Sequence, residues 1–283
     1  MTEAVTKSLT VDRPHVPADP ANPPVVVFRD VTKTFTQPDG GGTFTAIERI
    51  SFTIDDLPGK GEFVSMLGPS GCGKSTILRI LAGLKPSFPA TSGTVLVKGK
   101  PVLGPGPERG MVFQSYSSLP CYTVLQNVEL GLRLKGVPRG DREEIARHWI
   151  QRVRLGGNEH KYPHELSGGM QQRVAIARTL AVKPKIILMD EPFGALDRMT
   201  RWEMQDLIVD LWQNVEATVF LITHDIPEAV HLGDRVYIFT PSPGRLLEEI
   251  YIGPPTGPAA EVQRTADFTA LANEISRKVE QAG

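Results

Sequence analysis

The sequence has 283 residues, which is enough for one large or two small domains. Its 31 basic and 32 acidic side chains leave a formal net charge of −1, which argues against a dedicated nucleic-acid-binding protein. The two cysteines, Cys72 and Cys121, make a structural disulfide unexpected and favour a reducing cytosol, and no zinc-ligand spacing is present.

The sequence predicts neither a signal peptide nor a membrane-spanning helix. Residues 1–24 carry five prolines, mixed charges and no apolar core, so we predict a disordered tail there. The longest apolar runs, such as Val219–Ile222, fall far short of the ~20 residues that a membrane helix needs.

Strand patterns dominate the first part of the chain after this tail. Val25–Phe28 is apolar, Ile50–Ile54 alternates apolar and polar residues, and Thr94–Val97 precedes a glycine turn. The segment Thr36–Thr43 contains a Pro-Asp-Gly-Gly-Gly run that indicates a turn or loop. These segments predict an antiparallel sheet beside an α/β core.

The most informative segment is Gly68–Ser75, which has the pattern G-x-x-x-x-G-K-[ST]. The apolar run Phe63–Leu67 precedes it as a predicted buried strand, and a helical repeat of apolar residues follows it. This strand–loop–helix context is typical of a loop that wraps nucleotide phosphates. Lys74 would supply a positive charge for the β- and γ-phosphates, and the Ser75 hydroxyl can ligate Mg²⁺. The dipole of the following helix adds to the phosphate site.

We therefore assign the whole loop to nucleotide binding. A glycine-rich turn that binds nothing is the alternative. The assigned residues are Gly68, Pro69, Ser70, Gly71, Cys72, Gly73, Lys74, Ser75 and Thr76.

Residues 122–160 differ from the segments on either side. Apolar residues recur from Val124 to Leu134, and further ones follow at roughly helical spacing within the charged stretch Arg139–Arg154. This pattern predicts a helical insertion. Three near-continuous apolar runs come later, as expected for parallel strands covered on both faces: residues 185–189, 218–222 and 235–239.

The end of the chain has the pattern of one more amphipathic helix. In residues 265–282, Phe268, Leu271, Ile275 and Val279 form one apolar stripe. Thr265 precedes that stripe, so we predict that it caps the helix.

Two adjacent carboxylates end the strand predicted over residues 186–189. Asp190 at such a position can hold Mg²⁺, directly or through water, and so complement a phosphate loop. Glu191 can orient and deprotonate a water aimed at the γ-phosphate. A solvated acidic turn is the alternative interpretation.

Ser167, Gly168 and Gly169 precede a helix predicted from Gln171 to about Ala181. Ser167 is a typical helix N-cap, and the glycines leave backbone N–H groups exposed at the positive end of the helix. Alone, such a segment predicts only a capped helix.

The order of these motifs resembles the ATP-binding-cassette (ABC) ATPase family. The resemblance covers residues 25 to about 245 and rests on six ordered motifs: Gly68–Thr76, Gln114, Leu166–Arg173, Ile186–Pro192, Gly194–Asp197 and Thr223–Asp225. It implies an α/β phosphate-loop NTPase core with a parallel sheet, an antiparallel β subdomain and a helical subdomain at about residues 116–168. It also implies a C-terminal extension over residues 246–283.

The resemblance also implies roles for single residues. Phe35 would stack on adenine, with core packing as the alternative, and Gln114 would contact Mg²⁺ and the attacking water. Ser167, Gly168 and Gly169 would contact the γ-phosphate held by a second copy of the chain. Asp197 would line the interface between the two ATP sites, and His224 would contact the γ-phosphate. A packed or surface histidine is the alternative for His224.

Several stretches are similar to the nitrate, sulfonate and taurine importer ATPases, among them Gly104–Gly110 before Gln114. The resemblance implies a Mg²⁺- and ATP-dependent homodimer at the cytoplasmic face of the inner membrane. This dimer would drive a separate permease fed by a substrate-binding protein, without nucleic acid. Cys121 departs from the family, in which relatives often carry an aromatic residue. The alternatives are an export or lipid-trafficking ATPase and a soluble ABC ATPase acting on nucleic acid or ribosomes.

Overall fold

The computed structural model describes residues 22–37, 41–57, 59, 61–212, 215–253 and 257–282. The strands in this part of the chain are β1 (Val26–Thr36), β2 (Thr43–Ile54), β3 (Phe63–Leu67), β4 (Ser92–Val97), β5 (Lys100–Pro101), β6 (Arg109–Val112), β7 (Ile186–Asp190), β8 (Thr218–Ile222), β9 (Arg235–Phe239) and β10 (Leu246–Tyr251). The helices are α1 (Lys74–Ala82), α2 (Val124–Leu134), α3 (Arg139–Arg152), α4 (Gly168–Ala181), α5 (Arg198–Trp212), α6 (Ile226–Leu232), α7 (Ala259–Val262) and α8 (Ala266–Ala282).

The chain forms two compact units. The first consists of the segments up to Gly106 and from Thr218 onward, and the second is Pro107–Ala217. The phosphate loop therefore belongs to the first unit, whereas the acidic pair and the Ser-Gly-Gly turn belong to the second.

The first unit contains both kinds of predicted sheet. An antiparallel sheet has the strand order β2-β1-β4-β5, with Val26 opposite Ile54 on one side and Val97 on the other. In the α/β part, β3 is parallel to both β8 and β9, and β10 is antiparallel to β9. Every residue of β3, β8 and β9 is buried, which explains why these strands are near-continuous apolar runs.

Aromatic side chains join the antiparallel sheet to the parallel strands of the first unit. The Phe28 and Phe52 rings stack with centroids 4.6 Å apart, and Phe52 also lies 5.2 Å from Tyr237 of β9. Large buried rings such as these dominate the energetics of a core. The two sheets of this unit therefore share one core.

A buried ion pair lies in the first unit where β3 and β9 begin. The Arg235 guanidinium donates to both oxygens of Glu62, at 2.7 and 2.9 Å, and to Glu249 of β10 at 2.7 Å. It also donates to the Thr53 carbonyl and to the Tyr237 hydroxyl, both at 3.1 Å. Burial raises the pKa of Glu62, while the charge of Arg235 opposes that rise.

The C-terminal segment packs on the same core. Phe268, Leu271 and Ile275 of α8 are buried in a cluster with residues of α6, β9 and β10, and the Thr265 hydroxyl accepts the Phe268 N–H at 3.3 Å. The predicted helix and its cap are therefore confirmed. Strand β10 lies in the predicted C-terminal extension over residues 246–283 and was not predicted from the sequence.

Residues 1–21 of the predicted N-terminal tail lie outside the described residues. From Asn22 onward the chain is attached to the first unit, because the Asn22 amide donates to the Asp56 carbonyl at 3.4 Å. Pro38–Gly40, in the predicted turn, also lie outside the described residues.

The second unit combines two parallel strands with the predicted helices. Strand β6 runs parallel to β7, with Val112 opposite Met189. Helix α2 begins with a capping box between Thr123 and Gln126, and Val124, Val128 and Leu132 form its buried face. Helix α4 begins at Gly168, about one turn earlier than the sequence predicted.

Two simple properties complete the description. Across the described residues, none of the helices combines the length and the apolar character needed to cross a membrane. Both cysteines are free thiols, with Cys72 buried and Cys121 exposed.

Candidate nucleotide site

The phosphate loop runs from Gly68 to Gly73 and joins β3 to α1. Gly71 and Gly73 have φ angles of 77° and 93°, in the left-handed region that side chains rarely adopt. A Cβ on Gly73 would also lie 2.8 Å from the Ala46 carbonyl oxygen, so the loop approaches β2 closely. Around Gly71, by contrast, no atom of the described residues other than its chain neighbours lies within 4 Å of the position of a Cβ. The loop is therefore held on its β2 side and open at Gly71.

Lys74 is buried within this loop. Its Nζ donates to the carbonyls of Gly68 and Pro69, at 2.7 and 2.9 Å, and lies 3.6 Å from the Cys72 sulfur. The ammonium is thus placed by the loop that surrounds it, at the N-terminus of α1. A pre-positioned cation beside backbone N–H groups fits the phosphates of a nucleotide.

The segment after β9 supports the loop from outside the motif. The Gly244 N–H donates to the Ala46 carbonyl at 2.9 Å, and the Gly244 carbonyl accepts the Glu48 N–H at 2.9 Å. A Cβ on Gly244 would overlap the carbonyl oxygen of Cys72. A residue far from the loop in sequence therefore packs directly against the loop backbone.

Phe35 lies near the end of β1, opposite Phe44 of β2. It is half-buried and does not belong to the core, and the Nζ of Lys33 lies 5.0 Å from its ring centroid. Lys33 is itself held, because its Nζ donates to the Pro89 carbonyl at 2.8 Å. An ammonium at this distance makes a cation–π contact with the ring.

His224 follows β8 and is exposed, in the turn that leads to α6. Side-chain hydrogen bonds shape that turn. The Thr223 hydroxyl donates to Glu228 at 2.5 Å and accepts the Asp225 N–H at 3.0 Å, and Asp225 caps α6. His224 is thus presented at the carboxyl end of a buried strand, as the sequence predicted.

In the second unit, the parallel pairing of β6 and β7 brings Gln114 and the acidic pair to one sheet edge. The Gln114 amide donates to the Glu191 carboxylate, with Nε2 and Oε2 3.2 Å apart. Asp190 is buried as the last residue of β7. Glu191 has a φ of 46°, a left-handed conformation that is uncommon for a residue with a side chain and recurs at functional sites.

The Ser167–Gly169 turn begins α4. The Ser167 hydroxyl accepts the Met170 N–H at 3.4 Å, so the predicted N-cap is present. A Cβ on Gly168 would overlap the Tyr116 hydroxyl, and a Cβ on Gly169 would lie 2.9 Å from the Thr200 methyl carbon. Neighbouring side chains, as well as the exposure of backbone N–H groups, therefore favour glycine in this turn.

Asp197 caps α5. Its carboxylate accepts the Thr200 hydroxyl at 2.7 Å and the N–H groups of Met199 and Thr200, both at 3.1 Å. The hydrogen bond from the Thr200 hydroxyl, followed by the backbone bonds, holds the pKa of the exposed Asp197 below its usual range. The carboxylate is therefore ionised and fixed at neutral pH.

The structure adds four residues that the motifs did not single out: Lys33, Tyr116, Thr200 and Gly244. Tyr116, Thr200 and Gly244 approach predicted site residues from distant parts of the sequence, and no local pattern marks such a contact. Thr200 also lies three positions after Asp197, whose carboxylate it binds. Lys33 lies two positions before Phe35 on the same strand. That spacing places both side chains on one face and is the single signal that could have identified it.

Features of these two units define a class of protein. A glycine-rich phosphate loop between a buried parallel strand and a helix, with acidic residues ending another parallel strand, is the architecture of a phosphate-loop nucleoside triphosphatase. Residues 47–194 match the family model described as ABC transporter. The chain therefore belongs to the ABC transporter family, as one of its ATPases.

Relatives with high identity support this membership. An uncharacterized ABC transporter ATP-binding protein of Methanocaldococcus jannaschii is 51% identical over 82% of this chain and 81% of its own length. A nitrate import ATP-binding protein of Synechocystis is 45% identical over 83% and 88% of the two chains. A taurine import ATP-binding protein of Rhizobium johnstonii is 44% identical over 83% and 89%. The predicted resemblance to this importer group is thus confirmed.

Solved structures confirm the predicted fold. A bacterial ABC transporter cassette determined as a dimer has a TM-score of 0.69 and 34% identity, covering 81% of this chain and 99% of the cassette. A dimeric post-hydrolysis state of a cassette, bound to ADP and Pi, has a TM-score of 0.67 and 32% identity with the same coverage. The fold is therefore that of an ABC ATPase, and binding of an adenine nucleotide is a property of this fold family.

Proposed function

We propose that the protein is the energy-coupling ATPase of an ABC importer for small solutes of the nitrate, sulfonate and taurine type. It would lie at the cytoplasmic face of the membrane and drive a separate permease that a substrate-binding protein supplies. The relatives named for nitrate and taurine import support the solute class. The observation that carries the enzymatic part is the hydrogen bond between Gln114 and Glu191 at the end of β7, because it orients a carboxylate as a general base requires.

In this proposal, residues of the first unit bind the nucleotide. Phe35 stacks on adenine, and Lys74 and the N–H groups of the loop hold the β- and γ-phosphates. His224 contacts the γ-phosphate. The buried position of Lys74 and the half-buried ring of Phe35 support these roles, since both groups are already held in place by neighbouring contacts.

Residues of the second unit act on the attacking water. Glu191 accepts its proton, and Gln114 orients it. Mg²⁺, when bound, neutralises charge that develops on the β- and γ-phosphate oxygens, and Ser75, Gln114 and Asp190 would hold it. The donor set fits this ion, because Mg²⁺ is commonly held by few protein oxygens together with substrate phosphates. No cluster of three or more His, Cys, Asp or Glu side chains suited to a metal occurs in the described part of the chain.

Two copies would close around two ATP molecules. The N-terminus of α4 at Ser167–Gly169 carries backbone N–H groups and a positive helix end, which favour an anion. The γ-phosphate bound by the second copy would supply that anion, and Asp197 would line the same interface. Hydrolysis and phosphate release would remove the anion and so allow the copies to separate.

The segment between Gln114 and α2 would face the permease. Phe113, Tyr116 and Leu119 are large apolar residues that remain more than a third exposed, and Cys121 is exposed beside them. The buried Asn127 holds this segment through four hydrogen bonds, which reach the backbone of residues 119, 122 and 123. A shaped apolar surface is what docking of a membrane subunit needs.

The test is Glu191→Gln in the full chain, with the exposed Glu144→Gln of α3 as the matched control. The amide keeps the hydrogen-bonding shape but cannot accept a proton, so turnover should fall by roughly 100-fold or more while ATP binding is retained. ATP should then produce a stable dimer in light scattering. Turnover at the unchanged rate in this variant would remove Glu191 from the mechanism. Copurification of the tagged chain with a membrane permease that moves nitrate or a sulfonate tests the importer part.

A further inference from the structure

We propose that Thr200 is a positioning residue that fixes the Ser167–Gly169 turn and the Asp197 loop as one rigid surface for the second copy. This inference rests on the proposed function, because it concerns how that nucleotide-joined dimer closes. Thr200 lies in the first turn of α5 and is only partly exposed.

One end of the Thr200 side chain holds the Asp197 loop. The hydroxyl donates to Asp197 Oδ2 at 2.7 Å, while the Thr200 N–H donates to Oδ1 at 3.1 Å. Both carboxylate oxygens are therefore bound by a single residue. This leaves the carboxylate one orientation at the start of the helix.

The other end of the same side chain faces the Ser167–Gly169 turn that begins α4. If Gly169 carried a Cβ, this atom would lie 2.9 Å from the methyl carbon of Thr200. The next nearest atom, Leu196 Cδ2, would lie 3.9 Å from the same Cβ. The methyl thus limits how the turn can move toward α5. A second link between the helices is the pair Arg173–Glu203, with nitrogen and oxygen 3.5 Å apart.

The two ends of one short side chain therefore set two elements that the proposed dimer presents together. A γ-phosphate approaching the turn needs its N–H groups at a fixed position, and small displacements of such donors weaken electrostatic binding strongly. Thr200 itself need not touch the nucleotide. Its effect appears only when two copies meet.

The chemistry of threonine allows each contact to be removed separately. Thr200→Ser keeps the hydroxyl and removes the methyl against Gly169, whereas Thr200→Val keeps the branched shape and removes the hydrogen bond to Asp197. Serine and valine have helix propensities close to that of threonine, so α5 should persist. Thr269, in the first turn of α8, receives the same two substitutions as the matched control.

Each variant is made in the Glu191→Gln background, and ATP-driven dimerisation is measured by light scattering at increasing protein concentration. We expect roughly threefold to tenfold weaker dimerisation for both Thr200 variants, as for the loss of one cap or one close contact. The affinity for a fluorescent ADP analogue, which reports nucleotide binding by the first unit alone, should be unchanged. The melting temperature should stay within a few degrees of that of the parent. The Thr269 variants should dimerise like their parent.

A second-site test is sharper. Gly169→Ala should weaken ATP-driven dimerisation, and adding Thr200→Ser should restore part of it, because the serine lacks the methyl that the new Cβ meets. Dimerisation of both Thr200 variants as strong as that of the Glu191→Gln parent, or an equal effect of Gly169→Ala with threonine and with serine at position 200, would overturn the inference. Failure of the parent Glu191→Gln protein to dimerise with ATP would instead overturn the proposed function.

Discussion

Replacing Arg235 with methionine should destabilise the protein strongly without changing nucleotide affinity. Arg235 and Glu62 are almost fully buried, with side chains 3% and 4% exposed, and two charge-assisted hydrogen bonds join them. Methionine fills much of the same volume but leaves the Glu62 carboxylate without its cation. Removing one partner of a buried ion pair costs about 3–5 kcal/mol of the free energy of unfolding.

The pH dependence of this loss follows from Glu62. Its pKa is already raised by burial, and the charge of Arg235 limits the rise. Without Arg235 the folded protein binds the Glu62 proton more tightly. The free energy of unfolding then falls by about 1.4 kcal/mol per pH unit between the unfolded pKa and the raised folded pKa. The difference between variant and wild type should therefore be larger at pH 7 than at pH 5.

Urea unfolding at both pH values measures this effect. Arg245→Met is the matched control, because Arg245 also makes two hydrogen bonds to one carboxylate, that of Glu48, but its side chain is 63% exposed. That surface pair should contribute at most about 1 kcal/mol. An Arg235→Met loss as small as the Arg245→Met loss, or one that does not grow with pH, would refute the reasoning. Glu62 lies just before β3, whereas the phosphate loop follows the other end of that strand. Binding of a fluorescent ADP analogue should therefore persist in the folded variant.

Two further substitutions test contacts that the motifs do not contain. Gly244→Ala places a Cβ against the Cys72 carbonyl. Nucleotide affinity, measured by titration with an ADP analogue, should therefore fall at least about tenfold. The free energy of unfolding, measured in urea, should fall by about 1–3 kcal/mol. Gly140 in α3 is the matched control, because no atom of the described residues beyond its own helix backbone and chain neighbours lies within 4 Å of the position of a Cβ. Gly140→Ala should be neutral or raise the free energy of unfolding by up to ~1 kcal/mol, and equal behaviour of the two variants would contradict the packing argument. Asn127→Ala should lower the free energy of unfolding by about 2–3 kcal/mol and speed hydrogen exchange at the Leu119 amide, whose N–H donates to Asn127 Oδ1 at 2.8 Å. Unchanged exchange at Leu119 would show that Asn127 does not hold this segment.

The elements predicted correctly are those whose signal is local. Strands β3, β8 and β9 are buried on both faces, so their sequences are apolar throughout, and the helix over residues 265–282 follows from its apolar stripe and the Thr265 cap. Strand β10 was missed because Glu248 and Glu249 interrupt its apolar pattern. The structure explains both residues by partners elsewhere in the chain: Glu248 pairs with Lys278, and Glu249 pairs with Arg235.

The predicted site residues follow the same division. The phosphate loop, the acidic pair and Ser167 each depend on the strand or helix end beside them, so a short motif can specify them. The residues that hold them come from distant segments, as Gly244 does for the phosphate loop and Thr200 does for Gly169. No periodicity or spacing in a single sequence encodes such pairs.

The glycines of the Ser167–Gly169 turn show why this distinction matters for experiments. From sequence, Gly168 and Gly169 leave backbone N–H groups open to a phosphate, and a loss of activity on substitution would be attributed to that contact. The structure gives each glycine a second requirement, since a Cβ would meet Tyr116 in one case and Thr200 in the other. A single alanine variant therefore combines a packing effect with a phosphate effect. Only a partner substitution such as Thr200→Ser, which removes the packing conflict and leaves the N–H groups in place, separates the two.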